Sequence, residues 1–158
     1  MASFRKRTSG LTLLEILLVI GIIAVLATVV AVSLDPATRF QNAKDARRLS
    51  DIQSILSAIH QSIVDNRGAL PSGIDTTERE IASSGPGCSI RTDVCDVSGS
   101  EDCVDLSGSL AKYLKMMPYD PEEGSESHTR YSVQVNENNI VTVRACDSAD
   151  EEIASVSR

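Results

Sequence analysis

From Leu11 to Leu34 the chain runs for 24 residues with one ionisable side chain among them, Glu15. About 20 consecutive apolar residues span a bilayer as a helix. A carboxylate near the end of such a helix costs free energy unless something pairs with it, so Glu15 is a functional-site candidate by position alone. Three cations, Arg5, Lys6 and Arg7, precede the run. The bias of basic residues toward the cytoplasmic side keeps this leader inside and sends the rest of the chain outward.

A partner for Glu15 arises if a peptidase cuts after Gly10. Leu11 then carries a new α-amino group, and such amines are largely protonated at neutral pH, with a pKa near ~7.7–8.0. Within one chain that amine lies about one helical turn from Glu15. Between copies offset along their axes, the amine of one meets the carboxylate of the next. In a low-dielectric setting the attraction is strong, and a register error leaves a charge buried and unpaired. The pattern suits a helix that polymerises with copies of itself.

Gly10-Leu11-Thr12-Leu13-Leu14-Glu15, after the basic leader, resembles the class III signal of type IV pilins and of type II secretion pseudopilins. Leu11 stands where the family usually has Phe. The likeness is close over about 25 residues, weaker to about Gly68, and loose beyond. It implies cleavage between Gly10 and Leu11 by a prepilin peptidase, N-methylation of Leu11, and docking of Glu15 during filament assembly. It further implies a leader at 1–10, a transmembrane and filament-core helix half at 11–35, an amphipathic half at 36–67 and a head at 68–158. The partners it implies are other copies of the chain, the prepilin peptidase/methyltransferase, the pilus assembly machinery and, before assembly, the lipid bilayer. The protein is then expected to begin as a single-pass membrane protein and to end in an extracellular filament. A type II secretion pseudopilin is the nearest alternative. A membrane-anchored binding module that never polymerises is another, in which Glu15 is incidental. A secretory signal peptide fits poorly, because its apolar region is usually only 7–15 residues.

After the apolar run, Asp35-Pro36 offers an N-cap and a first helical residue, marking a kink or a restart. Apolar residues then recur at Phe40, Ala43, Ala46, Leu49, Ile52, Ile55, Leu56, Ile59 and Ile63, mostly three or four apart. That spacing predicts one buried helical stripe. Arg39, Gln41, Lys44, Asp45, Arg48, Asp51 and Gln53 fall on the other face, and Gly68 reads as the stop. Gly21 and Pro36 both lower helix propensity; they are expected to let the stretch between them loosen when the subunit enters a filament.

Residues 72–109 are rich in Ser, Gly, Asp and Thr and predict a long loop. Loops of that length are uncommon unless functional or stapled. Cys88, Cys95 and Cys103 lie within it and Cys146 beyond it. Four cysteines in a short exported chain favour disulfides, and three connectivities exist. The preferred one joins Cys88 to Cys95 and Cys103 to Cys146. Zinc fits less well, since the gaps of six, seven and 42 residues are unlike those of zinc knuckles. Ser107 to Met117 predicts a short helix. Alternating residues at 129–135 and 140–146, and a third segment at 152–156, predict an antiparallel meander over 129–156. The expected fold class is α+β, with the long N-terminal helix packed against a small antiparallel sheet.

The chain has 15 basic and 22 acidic residues, net −7; without residues 1–10 it has 12 against 22, net −10. An acidic head with no Trp and five other aromatics offers little to nucleic acid, and none is expected as a partner. No zinc-protease, Walker, serine-hydrolase or dinucleotide motif occurs, so no enzyme activity, cofactor or metal is expected. His60 and His128 have no evident acid or nucleophile partner. Asp93, Asp96, Glu101, Asp102 and Asp105 crowd one loop and Asp120, Glu122 and Glu123 another. A calcium site there is a minor alternative to solvated acidic loops, without EF-hand spacing.

Overall fold

The computed structural model describes residues 10–33, 35–82, 88–97, 103–150 and 154–158. The chain divides into two compact units, Met1–Arg39 and Phe40–Arg158. In the first, helix α1 runs from Leu13 to Ser33 without a break, passing through Gly21. None of its residues is buried. Asp35 adopts φ 34° and accepts a bond from the Thr38 hydroxyl at 2.7 Å, and helix α2 starts at Pro36. The interruption between the helices therefore falls at Asp35-Pro36 and not at Gly21.

Helix α2 extends to Asp65. Arg67 and Gly68 turn into the left-handed region, at φ 59° and 93°, and the Gly68 N–H reaches back to the Ile63 carbonyl at 2.8 Å. This i−5 bond caps the orphan carbonyls of the last turn.

Strands β1 (Arg79–Ile81), β2 (Ile90–Arg91), β3 (Asp96–Val97) and β4 (Cys103–Val104) come next, followed by the short helix α3 (Ser107–Leu110). Strands β5 (Tyr131–Val135), β6 (Val141–Ala145) and β7 (Ser155–Ser157) close the chain. The main sheet has the order β4-β1-β5-β6-β7. Strands β5, β6 and β7 are antiparallel neighbours, whereas β1 and β4 pair in parallel, so the sheet is mixed and not purely antiparallel. The described residues of the segment 72–109 accordingly hold more regular structure than their composition predicts. They gain backbone partners from β5 and covalent ties from their cysteines. The expected helix at 107–117 is α-helical only to Leu110; Leu114 and Met117 reach the core from turns that follow.

Both disulfides differ from the preferred pairing: Cys88 joins Cys103, and Cys95 joins Cys146. The β2–β3 hairpin explains the correction. Its register pairs Ile90 with Val97 and Arg91 with Asp96, and the Thr92 N–H bonds the Cys95 carbonyl at 3.0 Å. Cys95 therefore sits at the hairpin's tip and Cys88 at its open end, too far along the ladder to meet. In the chain-entropy picture, separations of 15 and 51 residues correspond to about 3 and about 4 kcal/mol. Ala82, Ile90 and Val97 surround the bridges as a small second core.

The main core joins Ile52, Ile55, Leu56 and Ile59 of α2 to Leu106, Leu110, Tyr131, Val133 and Val143. The stripe expected on α2 is therefore buried only from about Ile52 onward. Phe40, Ala43 and Ala46 are exposed, Phe40 by 70%. Over those turns the buried positions are Asp45 and Arg48, which the periodicity assigns to the outer face.

Arg48 is the largest fully buried side chain. Its Nε donates to Asp120 Oδ2 at 2.5 Å, its second guanidinium nitrogen to Asp120 Oδ1 at 3.3 Å, and the third to Asp45 Oδ1 at 2.8 Å. Asp120 Oδ1 also accepts from the Glu122 and Glu123 N–H groups at 2.8 and 3.0 Å. Gly124 closes this turn against the Asp120 backbone; a Cβ there would lie 2.4 Å from the Asp120 nitrogen. The turn is thus shaped to present one carboxylate to one guanidinium. Breaking a buried pair by deleting one partner strands the other charge and costs about 3–5 kcal/mol. Arg48→Ala is expected to lower the unfolding free energy of the chain in detergent by that amount, measured by urea denaturation. A loss under about 1 kcal/mol would show that water takes over the role of the guanidinium.

Candidate functional site

The N-terminal site is built by the start of α1. Gly10 and Leu11 precede the helix and are exposed, Leu11 by 71%. Thr12 is the N-cap: its hydroxyl accepts from the Glu15 N–H at 3.2 Å, and its carbonyl accepts from Ile16 at 3.2 Å. Glu15 consequently stands at the third helical position. Thr12-x-x-Glu15 has the form of a capping box, and an acid there also faces the positive end of the helix dipole. Thr followed three residues later by Glu before an apolar run is a recognisable start signal, which adds a cap role to Thr12 beside its place in the cleavage motif.

Beyond Glu15, α1 continues with 18 residues that carry no charge. At ~1.5 Å per residue, its 21 residues cover about 32 Å, close to the ~30 Å hydrocarbon thickness of a bilayer. By length and composition the helix is long and apolar enough to cross a membrane. Leu17, Leu18, Ile22, Val25 and Leu26 line a shallow apolar groove beside Gly21. A Cβ on Gly21 would meet nothing within 4 Å, so the glycine serves no packing need inside its own unit. The leader cations Arg5, Lys6 and Arg7 lie outside the described residues.

In the head, three of the acidic residues that suggested a calcium site are engaged with the protein. Asp120 is held by Arg48, Glu122 pairs with Lys44 at 2.7 Å, and Asp105 accepts the Ser107 N–H at 2.8 Å to start α3. Glu101 and Asp102 lie outside the described residues. Among the described residues, one trio of metal-ligand types converges: Glu80, Cys88 and His128. The Cys88 sulfur is in a disulfide, so it is not the thiolate that a zinc site requires. The trio nevertheless corrects the reading of His128, whose Nδ1 lies 3.6 Å from the buried Glu80 carboxylate. His60 is half-buried on α2, its Nε2 at 3.2 Å from the Arg158 carbonyl.

No family model, curated protein or solved structure matches this chain.

Two head carboxyls respond to their surroundings in opposite directions. Burial pushes Asp120 up, but bonds from Arg48 and from the Glu123 and Glu122 N–H groups outweigh it and hold the carboxyl below its ordinary range. Burial raises Asp51, against the hydrogen bond it accepts from the Tyr131 hydroxyl at 3.0 Å. The unfolded reference for both is near ~3.9. Asp120 therefore stabilises the fold fully above about pH 4, and that contribution is lost as pH falls through its lower folded value. Asp51 has the reverse sign: it favours the fold below about pH 4, and loses that as pH rises through its raised value. Urea midpoints followed from pH 7 to 3 should fall less steeply in Asp120→Asn than in the unaltered chain. Parallel slopes would mean that Asp120 does not carry the acid sensitivity.

Proposed function

We propose that this chain is the structural subunit of a type IV pilus-like filament. The observation that carries the reading is α1: an apolar helix buried nowhere in its own unit, its one charged side chain, Glu15, one turn past the Gly10–Leu11 bond. The subunit waits as a single-pass membrane protein, with its head outside. A prepilin peptidase cuts the exposed, non-helical bond after Gly10 and the new Leu11 amine is methylated. The assembly machinery then moves α1 from lipid into a bundle of α1 helices from other copies. Apolar contact supplies the cohesion, and pairing of the Leu11 ammonium with Glu15 of a neighbour supplies the register. Two disulfides in the head agree with an oxidising, exported location.

The Thr12 cap favours a second reading. A capping box gives Glu15 a local role that needs no neighbour, as in a membrane-anchored head that never polymerises. Glu15→Gln separates the two, because Gln also closes a capping box while removing the charge. A filament subunit should lose about 3–5 kcal/mol at each new interface, enough to reduce sheared surface filaments a hundredfold or more. An anchored module should keep full function.

Intact-mass measurement of the mature chain from cells tests processing directly. The expected mass begins at methylated Leu11. Functional protein that retains Met1 to Gly10 would overturn the assignment.

A further inference from the structure

The two disulfides stand in different surroundings. Cys95 and Cys146 are each about 1% exposed, and the Cys95 sulfur touches the Ser132 hydroxyl at 3.3 Å. In the other bridge Cys88 is fully buried, whereas Cys103 at the start of β4 is partly exposed. The Cys88 sulfur lies 3.9 Å from His128 Nδ1. The same nitrogen lies 3.6 Å from Glu80 Oε2, on a carboxylate only 2% exposed. Parallel pairing of β1 with β4 makes Glu80 and Cys103 register partners, so bridge, imidazole and carboxylate meet at one point. The Arg130 N–H bonds Glu80 Oε1 at 3.1 Å, and the Arg130 guanidinium is clamped on Asp147 at 2.5 and 2.6 Å.

We propose that Cys88–Cys103 is an exchangeable disulfide, attacked at Cys103 by an external thiolate and opened with Cys88 as the leaving group beside His128. Thiol–disulfide exchange is fastest when the departing sulfur leaves easily as a thiolate, and an adjacent imidazolium provides that. The attacking thiolate, from a low-molecular thiol or a protein dithiol, bonds to the Cys103 sulfur. The S–S bond breaks and its electron pair passes to Cys88. A proton on His128 Nδ1, which stands beside the Glu80 carboxylate, is shared with or transferred to the new thiolate. A second external thiol, or Cys88 itself, resolves the mixed disulfide. In the first case the external thiols end as a disulfide and the cysteines as two thiols; in the second the original bridge returns. Opening releases one edge of the β2–β3 hairpin, while Cys95–Cys146 still ties its tip to the end of β6. The head thus carries one reactive bridge and one structural bridge, and His128 acts as a positioning residue for the reactive one.

The test uses the full, oxidised chain in detergent, treated with limiting dithiothreitol, quenched by alkylation at intervals and mapped by peptide mass. Cys88 and Cys103 should become alkylated at least tenfold faster than Cys95 and Cys146. Brief exposure to reduced glutathione should place the adduct on Cys103. His128→Gln should slow opening of this bridge about tenfold near neutral pH and leave Cys95–Cys146 unchanged. The rate-against-pH profile of this variant should differ in shape from that of the unaltered chain, because the imidazole that faces Cys88 is gone. The charged groups around it, Glu80 and the Arg130–Asp147 pair, bear on the same profile, and Glu80→Gln should also slow opening. Equal rates for the two bridges, an adduct on Cys88, or a His128→Gln profile parallel to the unaltered chain would each overturn the proposal. Should the variants fail to form both bridges, the order of opening and the site of the adduct in the unaltered chain still decide it.

Discussion

An apolar helix with nothing of its own unit to cover it is the constraint on which everything else rests. Burying one large aliphatic side chain is worth about 1.5–3 kcal/mol. Helix α1 leaves Leu, Ile and Val exposed along its whole length, so covering it is worth tens of kcal/mol in that bookkeeping. No marginally stable head could hold such a surface in water. In the proposed function, lipid covers it in the membrane, and other α1 helices do so in a fibre. Both covers are equally apolar, so apolar contact alone does not favour leaving lipid. The proposed ion pair supplies a preference that lipid cannot, since it joins the amine of one copy to the carboxylate of the next when the copies are set in the correct register.

The head is organised on a different principle. Its apolar core spans the later turns of α2 and the sheet, but its earlier turns meet the head through Arg48 and Asp120. A buried pair of this kind is weak evidence for extra stability, because desolvation consumes much of the attraction. Its value is geometric. A bidentate guanidinium and carboxylate fix distance and orientation together, and they set the 120–124 turn on α2. The disulfides perform a comparable service for the β2–β3 hairpin, whose two-residue strands are too short to hold themselves.

How much of this was legible in the sequence depended on how local the determining interaction is. Helix α1, the stop at Gly68 and the alternating segments at 129–135 and 140–146 follow from neighbours along the chain and were readable; the hairpin turn at Asn136–Asn139 that joins those segments is equally local. The turn is closed by the Asn136 side chain, which accepts from the Asn138 and Ile140 N–H groups at 2.9 Å each. Arg48 was misplaced because its partner lies 72 residues away, and helical spacing describes only the apolar share of a buried face. The bridges were mispaired because the register of β2 with β3 leaves no trace in a Ser- and Asp-rich stretch. His128 and Glu80 meet only through the order of β1 and β4 in the sheet. At the N-terminal site, Gly10, Leu11 and Glu15 stood out by type, while Thr12 stood in the cleavage motif without its cap role.

A reconstruction of the assembled fibre at side-chain resolution tests the central claim most directly. The account expects α1 helices bundled at the axis, with each Glu15 carboxylate within about 4 Å of the Leu11 amine of an adjacent copy, the ordinary reach of an ion pair. A fibre in which those groups lie apart, or surface filaments that contain none of this chain, would contradict it.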